Sequence, residues 1–259
     1  MSLFDLTGKV AVVTGASKGI GRAIAEQLAV QGARVVVSSR DLAACEAVAG
    51  KIRDAGGEAI ALACNVSHQD QLSALVDGTM AEWGRIDILV CNAAINPYYG
   101  PSAEVPDDVF AKVMTTNVQR NAQLCNLVIP QMAERGDGVI LVVSSLGGMQ
   151  GSATLMPYTL SKAADMQLVR NIATEWGHRN IRANCLAPGL IRTDFSKAIW
   201  DSPDENSVVQ ALKQNPLPRI GEPEDVAGIA VALASAAGNY ITGQTIAVDG
   251  GKLIGRVTA

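Results

Sequence analysis

Short runs of aliphatic and β-branched residues alternate along the chain with longer stretches whose apolar positions recur every three or four residues. The runs fall at residues 10–13, 33–37, 59–63, 86–90, 138–143, 181–186 and 244–248, and each reads as a strand. Most are apolar at nearly every position rather than at every second one. Such strands are covered on both faces, which predicts a parallel sheet of about seven strands separated by helices. No linker, repeat or shift in composition breaks the alternation. The 259 residues therefore predict one α/β domain over positions 1–259, long enough to bury a substantial core.

One segment departs from the pattern. Between Leu190 and Pro218 the apolar residues Phe195, Ile199 and Trp200 precede an acidic stretch from Asp201 to Glu205. A core helix and a lid over a substrate pocket both fit this pattern.

Composition narrows the class. Hydrophobic residues make up 48% and charged residues 18%, which excludes a disordered or highly charged binding protein. The formal net charge is −4 with scattered cations, and aromatics are 4%, so neither a nucleic-acid footprint nor a base-stacking platform is expected. Cys45, Cys64, Cys91, Cys125 and Cys185 are odd in number and contain no C-x-x-C, so buried free thiols are expected. His68 and His178 are isolated and read as surface loop residues, so no metal is expected. The first six residues have no basic or long apolar region, and no window suits a membrane span, so a cytoplasmic location is expected.

After the first strand comes Thr14-Gly15-Ala16-Ser17-Lys18-Gly19-Ile20-Gly21, followed by an amphipathic helix through Leu28. Glycines at this spacing let the backbone turn tightly against a pyrophosphate, while the helix start offers free N–H groups and a positive dipole. The second strand ends Ser38-Ser39-Arg40-Asp41. A carboxylate that would read a ribose 2′-hydroxyl is replaced there by a serine and an arginine, with Lys18 at hand. Ser39, Arg40 and Lys18 suit a 2′-phosphate, so NADP(H) is the expected cofactor. Asp41 precedes a helix and is expected to cap it.

Tyr158 and Lys162 are four residues apart and share one face of a helix, with Ser145 thirteen residues upstream of the tyrosine. A cation beside a phenol favours the phenolate, and such a phenol can exchange a proton with a carbonyl oxygen. Taken alone, the pair also fits a packed tyrosine with a solvated lysine.

Thr14 to Gly21, Asn92-Ala93-Ala94, Asn117, Ser145, Tyr158 and Lys162, in this order and spacing, resemble the short-chain dehydrogenase/reductase family. Pro188-Gly189-Leu190-Ile191-Arg192-Thr193 and Val248-Asp249-Gly250-Gly251 add to the likeness, which covers nearly the whole chain. The resemblance implies a Rossmann-type doubly wound sheet with the dinucleotide across its carboxyl edge. It further implies Tyr158 as general acid/base, Ser145 as the group orienting the substrate oxygen, and Lys162 on the nicotinamide ribose. Ser144 is the competing serine. Asn117 would hold a water in a proton relay from Lys162, and Thr193 would bind the carboxamide. Gly15, Ser17, Lys18, Gly19, Ile20, Gly21, Asn65, Val66, Asn92, Ala93, Ala94, Pro188, Gly189 and Ile191 would line the cofactor groove. Asn65 stands where the family often has an aspartate near adenine, Cys91 replaces a common asparagine, and Ala94 replaces a frequent glycine. A homotetramer is implied, and 190–218 is expected as the substrate lid.

Asn92 to Gly100 and Leu186 to Ser196 resemble more closely the NADPH-dependent carbonyl and retinal reductase branch. That likeness implies reduction of small hydrophobic or aromatic ketones and dicarbonyls, with Leu146, Met149, Met156, Tyr98, Phe195 and Trp200 as pocket candidates. A 3-oxoacyl-thioester reductase, using Arg192, Lys197 and Arg219 toward phosphates, is the alternative. A non-catalytic NADP-binding redox sensor is a third reading, against which the intact Ser145/Tyr158/Lys162 set argues.

Overall fold

The structure is a computed structural model that describes residues 2–197, 212–213 and 215–255. Ile199, Trp200 and the acidic run 201–205 of the expected lid lie outside the described residues. Seven strands form one parallel sheet: β1 (Val10–Thr14), β2 (Arg34–Ser39), β3 (Glu58–Ala63), β4 (Ile88–Cys91), β5 (Gly138–Val143), β6 (Ile181–Pro188) and β7 (Thr245–Val248). Their order is β3-β2-β1-β4-β5-β6-β7, so the winding reverses between β1 and β4. In doubly wound sheets such a reversal marks the binding cleft, outside the carboxyl ends of the strands.

The alternation of side chains along each strand divides the core in two. Ala11, Val13, Val35, Val37, Val90 and Leu141 point into a layer shared with helices α1 (Gly19–Val30), α2 (Leu42–Asp54) and α7 (Pro223–Ala234). Val12, Val36, Leu89, Ile140, Val142 and Ala183 point into the opposite layer, built with α3 (Gln69–Trp83), α5 (Arg120–Arg135) and α6 (Met156–Trp176). Each Val, Leu or Ile side chain fully buried in this way contributes roughly 1.5–3 kcal/mol. The expectation of full coverage holds for the central strands. The edge strands β3 and β7 are half-exposed along much of their length, because each has one neighbouring strand and thinner helix cover.

Helix α4 (Asp107–Met114) runs through a π-helical turn at Thr115–Gln119 directly into α5. Asp41 caps α2, accepting from the Ala44 N–H at 3.0 Å. All five cysteines are buried and unpaired, and both histidines are exposed. Among the described residues, no helix is long and apolar enough to cross a membrane.

Candidate active site

The glycine turn is built around Asn92, just past β4. Asn92 Nδ2 donates to the carbonyls of Thr14 at 2.9 Å and Gly15 at 3.1 Å. Thr14 Oγ1 accepts from the Asn92 and Ala93 N–H groups at 3.0 and 3.2 Å. A Cβ on Gly21 would stand 2.4 Å from both Asn92 Nδ2 and the Gly15 carbonyl oxygen. A Cβ on Gly15, whose φ is +63°, would stand 2.8 Å from Asn92 Nδ2. The two glycines thus make room for the asparagine strut, which ties the strand ends on either side of the topological reversal. Asn92, expected to line the groove, also holds its floor in shape.

Lys18 occupies the N-cap of α1 without capping it, and the first turn carries no acidic side chain. Its leading N–H groups are therefore open to an anion, and with the tight glycine approach they fit a pyrophosphate. Ser17, Gly19 and Ile20 are half-buried around this turn, and Gly19 lies close against the Thr193 methyl. Lys18 Nζ pairs with Asp194 at 3.0 Å, with both side chains largely exposed. At the end of β2, Ser39 Oγ shares contacts with the backbone of Asp41 and the Cys45 thiol, while Arg40 is exposed beside it. Asn65 Oδ1 accepts from Ser67 N–H at 3.1 Å in the turn before α3. Its acceptor is thus engaged in the local turn. Val66 packs against the α3 layer.

The far side of the cleft is less uniform. Gly189 follows β6 and donates its N–H to Val248 O at 2.9 Å, continuing the groove past Pro188. Ile191 does not line the groove with its side chain, which is buried in the α1 layer and bridged to Gly221. It can meet a cofactor through its backbone alone. Thr193 caps the short 3₁₀ turn Asp194–Ser196.

The catalytic candidates meet where β5 leaves the sheet. Ser144 and Ser145 separate cleanly: Ser144 Oγ is buried and donates to Lys162 O at 2.7 Å, whereas Ser145 is half-buried and starts the turn Leu146–Gly148. Gly148 lies so close to α6 that a Cβ there would sit 2.7 Å from the Lys162 carbonyl carbon. That contact presses the Ser145 turn onto the helix that carries Tyr158 and Lys162. A Cβ on Gly147 would be 3.4 Å from Ser145 Oγ and 4.0 Å from the Tyr158 ring, so serine and tyrosine flank one point. The Phe195 ring lies 6.0 Å from the Tyr158 ring, centroid to centroid.

Lys162 is a buried group, 2% exposed, rather than a solvated helix residue. Its Nζ donates to Val143 O at 2.9 Å and to Asp165 at 3.0 Å, and stands 5.8 Å from the Tyr158 ring centroid. Burial pushes its ammonium down, but Asp165 and then Tyr158 outweigh this and raise it above the ordinary lysine range. Burial also lifts the Asp165 carboxyl, against the pull of Lys162 and Asn121. Asn117 is fully buried, and its side chain is committed. Oδ1 accepts from Ile95 N–H at 2.9 Å, while Nδ2 donates to Ile95 O at 2.9 Å and Ser161 Oγ at 3.0 Å. Both amide protons are spent, so the amide nitrogen is not left to hold the expected water. The side chain pins the loop after β4 to α6.

Of the apolar pocket candidates, Met149 is exposed and Met156 half-buried near this site, whereas Leu146 is buried beneath its turn. Tyr98 spends its hydroxyl on Pro101 O at 2.7 Å. Asp165 and Asn121, both buried beside Lys162, were not singled out in the sequence. The one signal for Asp165 was its i,i+3 spacing from Lys162.

A glycine-cradled cleft at the sheet reversal, with serine, tyrosine and lysine at its rim, defines an oxidoreductase site of the doubly wound class. A family model described as enoyl-(acyl carrier protein) reductase matches residues 15–252. Dehydrogenase/reductase SDR family member 4 of Bos taurus is 41% identical over 248 residues, covering 96% of this chain and 88% of that protein. A structure of 7α-hydroxysteroid dehydrogenase complexed with NADH and 7-oxo glycochenodeoxycholic acid superposes with a TM-score of 0.90 at 38% identity, covering 96% of this chain and 95% of that one. A gluconate 5-dehydrogenase from Burkholderia cenocepacia J2315, in complex with NADP and tartrate, gives 0.91 at 33% identity and 97% coverage of each chain. The chain belongs to the short-chain dehydrogenase/reductase family of nicotinamide-dependent oxidoreductases.

Proposed function

We propose that this chain is an NADP(H)-dependent carbonyl reductase that interconverts small hydrophobic or aromatic ketones, aldehydes and dicarbonyls with their alcohols. The observation that carries the reading is the meeting of Ser145, in the turn after β5, with Tyr158 and Lys162 on α6, pressed together through Gly148. The nicotinamide, when bound, supplies or accepts the hydride. Asn92, Ala93, Ala94 and Gly189 line its groove, the N–H groups of α1 take the pyrophosphate, and Thr193 meets the carboxamide. Ser145 and Tyr158 hold the carbonyl oxygen, and Tyr158 gives it a proton as charge develops there. Lys162 places a cation beside that phenol.

Three features support the 2′-phosphate reading. Asp41 turns its carboxylate to the start of α2, where Oδ1 accepts from the Ala44 N–H. Arg40 is exposed at the end of β2, and Lys18 stands at the start of α1. The family includes relatives bound to NADH and to NADP, so these residues bear the argument.

A solved 3-oxoacyl-(acyl-carrier-protein) reductase with NADP bound, 31% identical with a TM-score of 0.90, favours a second reading, a 3-oxoacyl-thioester reductase. The cations it would direct at carrier phosphates, Arg192 and Arg219, stand in solvent-exposed pairs with Glu222 at 3.1 Å and Asp225 at 2.6 Å, which do not decide the matter. Phe195 beside Tyr158 instead supplies an aromatic wall. Purified protein assayed with NADPH against aromatic ketones, dicarbonyls and acetoacetyl-coenzyme A decides between them. Turnover should follow the first two classes. Tyr158→Phe should lower it by about 10³-fold or more while leaving NADPH affinity within about twofold. Retained turnover in that variant rejects the proposed acid.

A further inference from the structure

Beneath the cleft, two polar rungs join α6 to the π-helical turn Thr115–Gln119 and to α5, which continues it. Asn117 donates to Ser161 at 3.0 Å, and four residues along each helix Asn121 donates to Asp165 Oδ1 at 3.1 Å. The second rung does not end there. Asp165 Oδ2 accepts from Lys162 Nζ at 3.0 Å, and Lys162 continues to Val143 O at 2.9 Å. Asp165 is 0% exposed. A carboxylate so deep is costly to bury, and here both of its oxygens are engaged and its charge is met. An ammonium has three protons. With two directed at Asp165 and Val143, one remains to point elsewhere.

We infer that Asp165 is a positioning residue for Lys162: its carboxylate, itself held by Asn121, fixes where the ammonium stands beneath Tyr158 and which way its remaining proton points. The inference rests on the reading of Lys162 as a member of the catalytic set. It adds a second aspect to Asp165, that of holding Lys162 in its charged form. Burial alone favours a neutral lysine, and Asp165 is the largest influence opposing it. The other titratable groups bearing on the pair are Tyr158 on α6, Cys91 at the end of β4 and Cys185 on β6, the two thiols having Cys125 of α5 and, for Cys185, Arg170 of α6 as further neighbours. The Cys91 thiol is raised by its contact with Cys125 and by burial, and Cys185 by burial, so both are neutral at ordinary pH. Among these groups, Asp165 is the carboxylate.

The test is Asp165→Asn, which keeps the shape and removes the charge, with Asn121→Ala as a milder variant that keeps the charge but frees one oxygen. Alcohol oxidation is followed between about pH 6 and pH 10, beside ¹⁵N-lysine NMR of the Lys162 ammonium, assigned by its loss in Lys162→Met. Wild-type kcat should hold toward the alkaline end. In Asp165→Asn its alkaline fall should move about one pH unit or more toward neutrality, a roughly tenfold loss near pH 9, with KM for the alcohol within about twofold. Asn121→Ala should move it the same way by less. The ammonium signal should persist to high pH in wild type and vanish at lower pH in Asp165→Asn. A superimposable pH profile, or a uniform loss that merely tracks a lower melting temperature, overturns the inference. If Asp165→Asn fails to fold, an unshifted profile in Asn121→Ala overturns it. Should wild type turn over no carbonyl, the functional reading fails, and the NMR signal alone decides for or against the role of Asp165.

Discussion

Two lysine–aspartate pairs near the site have the same separation. Lys18 meets Asp194 at 3.0 Å, and Lys162 meets Asp165 at 3.0 Å. The first pair has both side chains about two-thirds exposed, while the second is 2% and 0% exposed. Distance is therefore a poor guide to consequence. In water, an ion pair gains little over two hydrated ions and exchanges readily for another anion. In a dry layer, each ion has lost its hydration, and removing one strands the other. Lys162 is committed to a fixed partner, as its proposed proton-handling role would require. Lys18 holds an exchangeable one, as suits a residue expected to receive a phosphate.

The largest effect should come from breaking the buried pair on one side. Lys162→Met should abolish carbonyl turnover and destabilise the fold by about 3–5 kcal/mol, because it leaves Asp165 charged and unpaired. Denaturant melts at several pH values check this. Burial raises the Asp165 carboxyl above its unfolded value, so the deficit should be smallest in acid, below about pH 4, and should grow as pH rises through the raised value. Lys162→Met combined with Asp165→Leu should recover much of the lost stability without recovering turnover. If the single variant melts like wild type at neutral pH, the pair is not the buried contact described here.

This contrast also marks what the sequence could and could not disclose. The strands were legible because parallel strands buried on both faces are written as continuous apolar runs, and Val10, Val35 and Ile140 needed no further context. The glycine turn was legible because a tight backbone approach leaves few residue types possible. Asp41 was legible as a cap because its role is local. Asp165 was not, since one acid three residues after a lysine reads like any solvated helix pair until its neighbours are known. Asn117 was located, yet its contacts with Ile95 and Ser161 depend on how a π-helical turn sets its side chain. Asn92 was expected to line the groove, and its work as a strut appears only when Gly15 and Gly21 are brought against it. Roles fixed by residues far apart in the chain were the ones left unread.

An intermediate effect should follow from changing what stands beside the exposed pair. Ser39→Asp together with Arg40→Ile removes one cation at the end of β2 and introduces a carboxylate there. The ratio of kcat/KM for NADPH to that for NADH should fall by about 10–100-fold, since Arg makes paired charge-assisted contacts that an acid would repel. Melting should change little, as Arg40 is exposed. An unchanged ratio would assign the 2′-phosphate to Lys18 rather than Arg40.

The smallest effect belongs to the exposed pair itself. The hydrogen bond from Lys18 holds the Asp194 carboxyl below its usual range, so at neutral pH Asp194 is an anion competing for the cation a 2′-phosphate would use. Asp194→Asn removes the competitor and keeps nearly the same shape. NADPH should then bind more tightly by up to about fivefold, the size expected when a solvated pair no longer has to be broken. NADH lacks the phosphate and should bind as before. Adding salt should shrink the gain, because screening weakens both the Lys18–Asp194 contact and the phosphate contact that replaces it. Titration of cofactor fluorescence at low and high ionic strength reads both outcomes. Asp194 also sits in the 3₁₀ turn capped by Thr193, so the variant has a second way to act. An equal change for NADPH and NADH, insensitive to salt, would mean that Asp194 works through the Thr193 turn, and that its contact with Lys18 does not compete with the phosphate.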